Sequence, residues 1–217
     1  MCGRVTFHHD DKDIRAWLDS DDDAPIQPSF NFAPTQQVPV IRANEEGVRH
    51  LVAMRWGLIP SWAKDHKIGN KLINARADTV AIKPAFRAAF KRRRCLVPMS
   101  GYYEWHSGDD GKVPHLIKAE GPIAAAGLWE SWTDPTTEAR IETCTIITSE
   151  AAPSLMALHP RMPVLVPAAA HRVWLAVETP LELVSQLLLP LEGLTVTPVS
   201  KRLNNPRNHG ADLLLPD

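Results

Sequence analysis

The chain has 217 residues, 44% hydrophobic and 23% charged, which suits a globular protein able to bury a proper core. A formal net charge of −1 excludes a global field that would draw it to nucleic acid or membrane, so any polyanion site must be a local patch. Three cysteines (Cys2, Cys95, Cys144) form no C-x-x-C pair, and their odd count argues against a disulfide framework and for a reducing compartment.

In chain order, Arg4, His8, His9 and Asp10 arrive too early for the basic-then-apolar pattern of a secretion signal. No apolar run is long enough to span a bilayer, so a soluble, cytoplasmic protein is expected. DDKDIRAWL reads as a helix capped by Asp10 or Asp11, with Ile14, Trp17 and Leu18 on one face. The acidic SDDDAPIQPSF that follows reads as a surface loop. QQVPVIRA and VRHLVAMRWGLIP are β-rich. IKPAFRAAFKRRR predicts a helix with Pro84 near its first turn and basic residues in its last, where the helix dipole favours them. RCLVPMSGYYEWH, VPHLIKAE, IAAAGLWESW and IETCTIITSE are further strands, with SGDDGK, EGP and TDPTTEAR as hairpin turns between them. PSLMALH, PAAAHRVWLAV and PLELVSQLLL predict short helices, and LTVTPVS a last strand. Hairpin-linked strands argue for antiparallel sheets with helices packed outside, an α+β layout. The 19 prolines are spread along the chain, so no linker stands out and one domain over residues 2–217 is expected.

The opening MCGR carries a chemical question. Methionine is normally removed ahead of a small side chain, and cysteine is small. Cys2 would then present an α-amine and a thiol on neighbouring carbons, a pair that no internal cysteine offers. Three other stretches set polar groups beside aromatics or turns: LINARADT with Asn74, Arg76 and Asp78; SGYYEWH with Glu104 between Tyr103 and Trp105; and ALHPRMPVLV with His159 and Arg161. Singly, each has a bland reading: a buried thiol, a turn asparagine, a strand carboxylate facing water, a structural histidine. Together, a nucleophilic cysteine, a carboxyl, an amide and an imidazole are the parts needed to attack a carbonyl. Aromatic flanks would raise the pKa of Glu104 and suit it to acid catalysis.

MCGR, FNFAPTQ, MRWGLIPSW, INARADT, CLVPMSGYYEW, LHPRMPVLV and VSKRLNNPRNHGADLL, in that order over essentially the whole chain, resemble the SRAP (SOS response-associated peptidase) family. The resemblance implies a bifurcated antiparallel β-sheet with a small closed barrel, surrounded by short helices. It implies trapping of abasic sites in single-stranded DNA as a covalent crosslink through Cys2, with weak lyase activity and crosslink reversal as side reactions. By the same resemblance Asn74, Glu104 and His159 are active-site residues, and Arg4 and Arg76 hold phosphates. Trp56, Pro60 and Trp62 resemble the wall beside the lesion. No metal or cofactor is implied, the only partner is DNA, no membrane is involved, and a monomer is expected.

Among basic clusters, Lys91–Arg94 reads first as a solvated face. Lys201, Arg202 and Arg207 are a candidate phosphate track, with Asn204, Asn205 and Asn208 as further donors. Trp56, Trp62 and Trp105 are candidate stacking platforms against a core-packing alternative, and Arg161 is a candidate DNA contact. Three rival readings remain: a glutamine amidotransferase-like hydrolase with a terminal cysteine, a cysteine peptidase acting on its own N-terminus, and a non-catalytic single-strand binding module.

Overall fold

The computed structural model describes residues 2–9, 14, 16–17, 27–108 and 111–217. Its strands are β1 (Val5–Phe7), β2 (Ser29–Phe32), β3 (Gln37–Ala43), β4 (Arg49–Trp56), β5 (Asn74–Arg76), β6 (Arg94–Met99), β7 (Gly101–Gly108), β8 (Gly111–Lys118), β9 (Ile123–Thr133), β10 (Arg140–Glu150), β11 (Arg161–Pro163) and β12 (Thr195–Pro198). Among the described residues the α-helices with both ends in place are α1 (Arg87–Arg92), α2 (His171–Leu175) and α3 (Leu181–Gln186), with short 3-10 segments elsewhere.

One sheet runs β12-β8-β7-β1-β2 and is antiparallel throughout. The other runs β4-β3-β6-β9-β10, and β10 returns to β4 to close a five-stranded barrel. The expected α+β architecture, a divided sheet with a small closed barrel and short helices, is the one observed. Its antiparallel character has an exception. β10 runs parallel to β4 (Thr143↔Arg55, Cys144↔Trp56) and to β5 (Ile146↔Asn74, Thr148↔Arg76). Strand directions cannot alternate all the way round a ring of five, so at least one parallel pair is forced by closure.

So small a barrel needs small residues inside. Ala124, Ala125 and Ala126 of β9 are buried, and Gly127 follows them. A Cβ on Gly127 would lie 2.9 Å from Cys95 Sγ and 3.1 Å from the Thr145 carbonyl oxygen, so only glycine lets β6 and β10 come this close. Cys95 and Cys144 are fully buried free thiols. Burial pushes the Cys144 thiol up to about 12 and that of Cys95 well above its ordinary value, which makes both unreactive.

Several expected elements change. EGP is no hairpin turn: β8 ends in the open sheet, where its free edge is taken by β12 (Thr195↔Lys118), and the chain crosses to the barrel to begin β9. α1 starts at Arg87 instead of Pro84, since the backbone forms separate turns at 84–86. Nor is Lys91–Arg94 one solvated basic face. Arg94 is buried and donates to the Phe90 and Lys91 carbonyls at the end of α1 and to those of Trp174 and Ala176 at the end of α2. It caps two helix C-termini with one guanidinium. Arg93 is taken by Glu130 at 2.7 Å. Of DDKDIRAWL only Ile14, Ala16 and Trp17 are described, all helical, and Trp17 meets His171 edge-on at 5.0 Å. Its proposed caps and Leu18, with most of SDDDAPIQPSF, lie outside the described residues, as does Met1.

For function, the decisive element is β10. Its first half closes the barrel against β9 and β4, and its second half runs on to carry β5 on one edge and β11 on the other. Thr148 is opposite both Arg76 and Pro163, and Glu150 is opposite Arg161. Two segments 85 residues apart by number (76 to 161) are thereby set on the two sides of one strand. In the open sheet β1 lies between β2 and β7 with Val5 opposite Tyr102, and Tyr103 N–H donates to the Arg4 carbonyl at 3.0 Å. That register runs Cys2–Arg4 alongside the YYEW segment.

Candidate active site

Glu104, Arg4, Trp105, His159, Lys112 and Asn204 line an open cleft of about 450 Å³ between the two sheets' loops. The chain positions these residues by different means. Glu104 and Trp105 are neighbours on β7, and Glu104 is opposite His115 across the β7–β8 ladder. His159 follows the 3-10 turn Pro153–Leu155, where its N–H donates to the Leu155 carbonyl at 3.1 Å. Its Nδ1 sits 3.0 Å from the Arg161 backbone nitrogen and 2.9 Å from the Arg161 carbonyl oxygen, so one residue's backbone orients the ring at the cleft.

Cys2 lies behind this cleft, fully buried. Asn74 donates from Nδ2 to the Cys2 carbonyl at 2.7 Å, while its own Oδ1 is buried without a hydrogen-bond partner. An orphaned acceptor beside the cysteine backbone is set to receive an N–H or O–H from whatever reacts there. Burial raises the Cys2 thiol far above its ordinary pKa, and the Glu104 charge raises it further. Burial likewise raises the Glu104 carboxyl, with His159 opposing the shift. The direction is the one expected from sequence. Strand alternation sets Tyr103 on the other face, toward Leu116, Val199 and Leu203, while Trp105 packs at the edge of that cluster and lines the cleft with Glu104. A buried thiol and a buried carboxyl, both with raised pKa values, an imidazole and an amide therefore meet around Cys2.

The other predicted residues divide. Arg4 is at the cleft, its Nη1 bound to Asn31 Oδ1 and to the Leu203 carbonyl, both at 2.6 Å, and its guanidinium stands 5.6 Å over the Trp105 ring. Arg76 is exposed and paired through two nitrogens with Asp78 (3.1 and 2.5 Å). Arg161 is half-buried, donating to the Thr148 carbonyl and, at 3.3 Å, to its Oγ1. It lines a separate hollow of about 360 Å³ with Asp78 and Glu150. Trp62 is 60% exposed and offers a face for stacking.

Trp56 does not, and that expectation is corrected. It is fully buried, and its Nε1 donates to the Ile73 carbonyl at 2.9 Å, which anchors the residue before Asn74. Pro60 is also buried, so it shapes the turn below Trp62 and offers no surface to a base. In the tail, Lys201 and Arg207 are exposed, while Arg202 pairs with Asp212.

Lys112 was not singled out by sequence, and Asn204 only as one of three further donors beside the tail cluster. A lysine on a hairpin arm has no local signal. Asn204 was legible only as one amide of a run, and the bond it accepts from Trp105 Nε1 at 2.6 Å is purely tertiary. A larger cleft, about 1480 Å³, lies elsewhere among Arg42, Arg49, Arg92 and Arg172, with Glu45, Glu46 and Glu178 in the same lining. Its charges largely cancel and it holds none of the groups above, so the smaller cleft is the candidate site.

A barrel joined to an open sheet, with Cys2, Asn74, Glu104 and His159 converging where they meet, defines a class. The chain belongs to the SRAP family: the family model described as SOS response associated peptidase matches residues 1–206. Among its relatives, abasic site processing protein YoaM of Bacillus subtilis is 40% identical, over 99% of this chain and 97% of that one. Abasic site processing protein HMCES of Xenopus tropicalis is 32% identical, over 96% of this chain and 76% of that one. A crystal structure of a protein from Bacteroides thetaiotaomicron superposes with a TM-score of 0.88 at 24% identity, covering 100% of both chains, a likeness of fold.

Proposed function

We propose that this protein processes abasic sites in single-stranded DNA by trapping them on Cys2, after loss of Met1, as a thiazolidine. The observation that carries the reading is the buried Cys2, held by Asn74 through its carbonyl beside Glu104 and the His159 cleft. The names of the 40% and 32% identical relatives support the substrate.

An abasic deoxyribose exists mostly as a closed hemiacetal in equilibrium with a little open aldehyde. His159 suits transfer of a proton at the ring oxygen, which opens the sugar. The neutral Cys2 amine, with an ordinary pKa of about 8, adds to the aldehyde carbon to give a carbinolamine. Glu104, its carboxyl pKa raised by burial, donates the proton with which the hydroxyl leaves as water and takes up the proton that the nitrogen then loses, giving an imine. The Cys2 sulfur then bonds to the imine carbon, the thiol proton passes to nitrogen through Glu104, and the five-membered ring closes. Asn74 Oδ1 accepts from the amine or a sugar hydroxyl without adding charge.

Raised thiol pKa values suit this order. A terminal-cysteine hydrolase or peptidase needs a thiolate that attacks first, and such thiolates have lowered pKa values. Here the amine leads and the thiol can wait protonated. An imine not captured by sulfur could lose the 3′ phosphate by β-elimination, which makes lyase activity a side reaction, and the same proton transfers in reverse release the DNA. We infer a monomer acting on DNA in the cytoplasm. The test is the intact mass of the mature protein before and after incubation with a single strand bearing one abasic site. Loss of Met1 and a denaturation-resistant adduct of protein plus strand minus one water are expected. An unmodified mass would overturn the reading.

A further inference from the structure

We propose that Asn31 is a positioning residue of the cleft, holding the Arg4 guanidinium against the C-terminal segment so that it is preset to grip a DNA phosphate; this rests on reading the cleft as a single-strand site. Asn31 stands in FNFAPTQ, and the segment it meets in NNPRN, two stretches to which the chemistry above assigns no work. It is fully buried on β2. A side-chain amide has two donors and one acceptor oxygen, and here all are used. Oδ1 accepts from Arg4 Nη1 at 2.6 Å, and Nδ2 donates to the carbonyls of Asn205 at 3.1 Å and Asn208 at 3.0 Å.

The geometry is selective. Arg4 Nη1 gives its other proton to the Leu203 carbonyl at 2.6 Å, so both Nη1 protons are spoken for and Nη2 is left to the cleft that Arg4 lines. Those carbonyls belong to a 3-10 turn and the irregular chain after it, outside any sheet ladder; the Asn205 carbonyl accepts from the Asn208 N–H as well. Between them Asn204 takes the Trp105 N–H, and Trp105 in turn underlies Arg4. One amide thus ties residues 4, 31, 205 and 208 into a single wall. An arginine already held in one rotamer loses less freedom on gripping a phosphate. Aspartate at 31 would keep the acceptor for Arg4 but lose both donors, and alanine would lose everything.

The test is equilibrium binding of an undamaged single strand as a function of salt, for the full-length protein, Asn31→Ala, Arg4→Ala and the double variant. Loss of one phosphate contact should lower the slope of log K against log salt by about 0.7. Asn31→Ala is expected to lower it as Arg4→Ala does, and to weaken binding by less than about twofold when Arg4 is already alanine. A loss of folded protein alone would reduce the binding-competent fraction without moving the slope. A wild-type slope in Asn31→Ala, or losses that multiply in the double variant, would overturn the proposal. An unchanged slope in Arg4→Ala would place the failure in the reading of the cleft itself, and this inference would fall with it. Should Asn31→Ala not fold, Asn31→Ser, too short to reach Arg4 and the two tail carbonyls together, is measured by the same criteria: the slope of Arg4→Ala supports the proposal, and a wild-type slope overturns it.

Discussion

Replacing Glu104 by glutamine tests the proposed chemistry most directly. Glu104 is only 5% exposed, and burial raises its carboxyl above the ordinary range. Glutamine keeps the size and the hydrogen bonding but has no proton to exchange. A positioned acid–base group contributes about 10²- to 10⁴-fold, or about 2.7 to 5.4 kcal/mol at roughly 1.36 kcal/mol per tenfold. Conjugate formation at saturating strand should therefore slow by at least about 100-fold, with affinity held by Arg4 and the exposed basic residues. The pH profile sharpens this. The acid form of Glu104 is lost as pH rises through its raised pKa, while the amine becomes reactive as pH rises toward about 8. The wild-type rate should be bell-shaped, and Glu104→Gln should keep only the rising limb. Stability moves in a defined direction too. A folded pKa above the unfolded value means stability fully present below about pH 4.3, the unfolded pKa, and lost as pH climbs through the folded one. The variant should melt with the wild type in acid and above it at neutral pH. Single-turnover gels and melting curves across pH measure both effects. A rate within about threefold of wild type on both limbs would refute the assignment.

Cys2→Ala should yield no heat-stable conjugate, while an imine that borohydride can reduce survives through the alanine amine; a heat-stable conjugate without reductant would exclude the thiazolidine. His159→Ala should be slow on the natural abasic strand but near normal on a strand carrying a fixed open-chain aldehyde, because its proposed work is sugar opening; equal slowing on both, measured in parallel with Glu104→Gln, would show the division of labour to be wrong. Trp62→Ala should weaken single-strand binding by the value of one stack, about 1–3 kcal/mol, with little change in melting temperature since Trp62 is 60% exposed. Trp56→Phe should do the opposite, lowering stability by about 1–3 kcal/mol as the indole's hydrogen bond is lost and the smaller ring underfills its buried site, while the Ile73 carbonyl keeps the Ile146 N–H; affinity per folded molecule is unchanged.

Much of this protein is written locally. Runs rich in β-branched residues such as QVPVIRA and IETCTIITSE specify strands because such side chains pack well on a pleated, buried surface, and β3 and β10 cover those runs. Cys2, Asn74, Glu104 and His159 stood out because polar groups beside apolar or aromatic neighbours are costly to place without a purpose. What a local pattern cannot encode is which strands meet. EGP has turn chemistry, yet whether it makes a hairpin depends on β12 taking the edge of β8 from 77 residues further on (Lys118 to Thr195). The parallel pairing of β10 with β4 follows from closing a ring of five, a property of the whole ring and of no one strand. Tryptophan is ambiguous for the same reason: Trp56 and Trp62 share one motif, but only packing buries the first against Ile73 and leaves the second open to solvent. Arginine needs tertiary structure as well, since Arg94 in a basic run turns inward to cap two helices while Arg4 is aimed by an asparagine 27 positions away. The amino acids chose the reacting groups, because chemistry resides in side chains. The tertiary structure decided which of them touch and which carry a proton, because burial and distance belong to the folded chain.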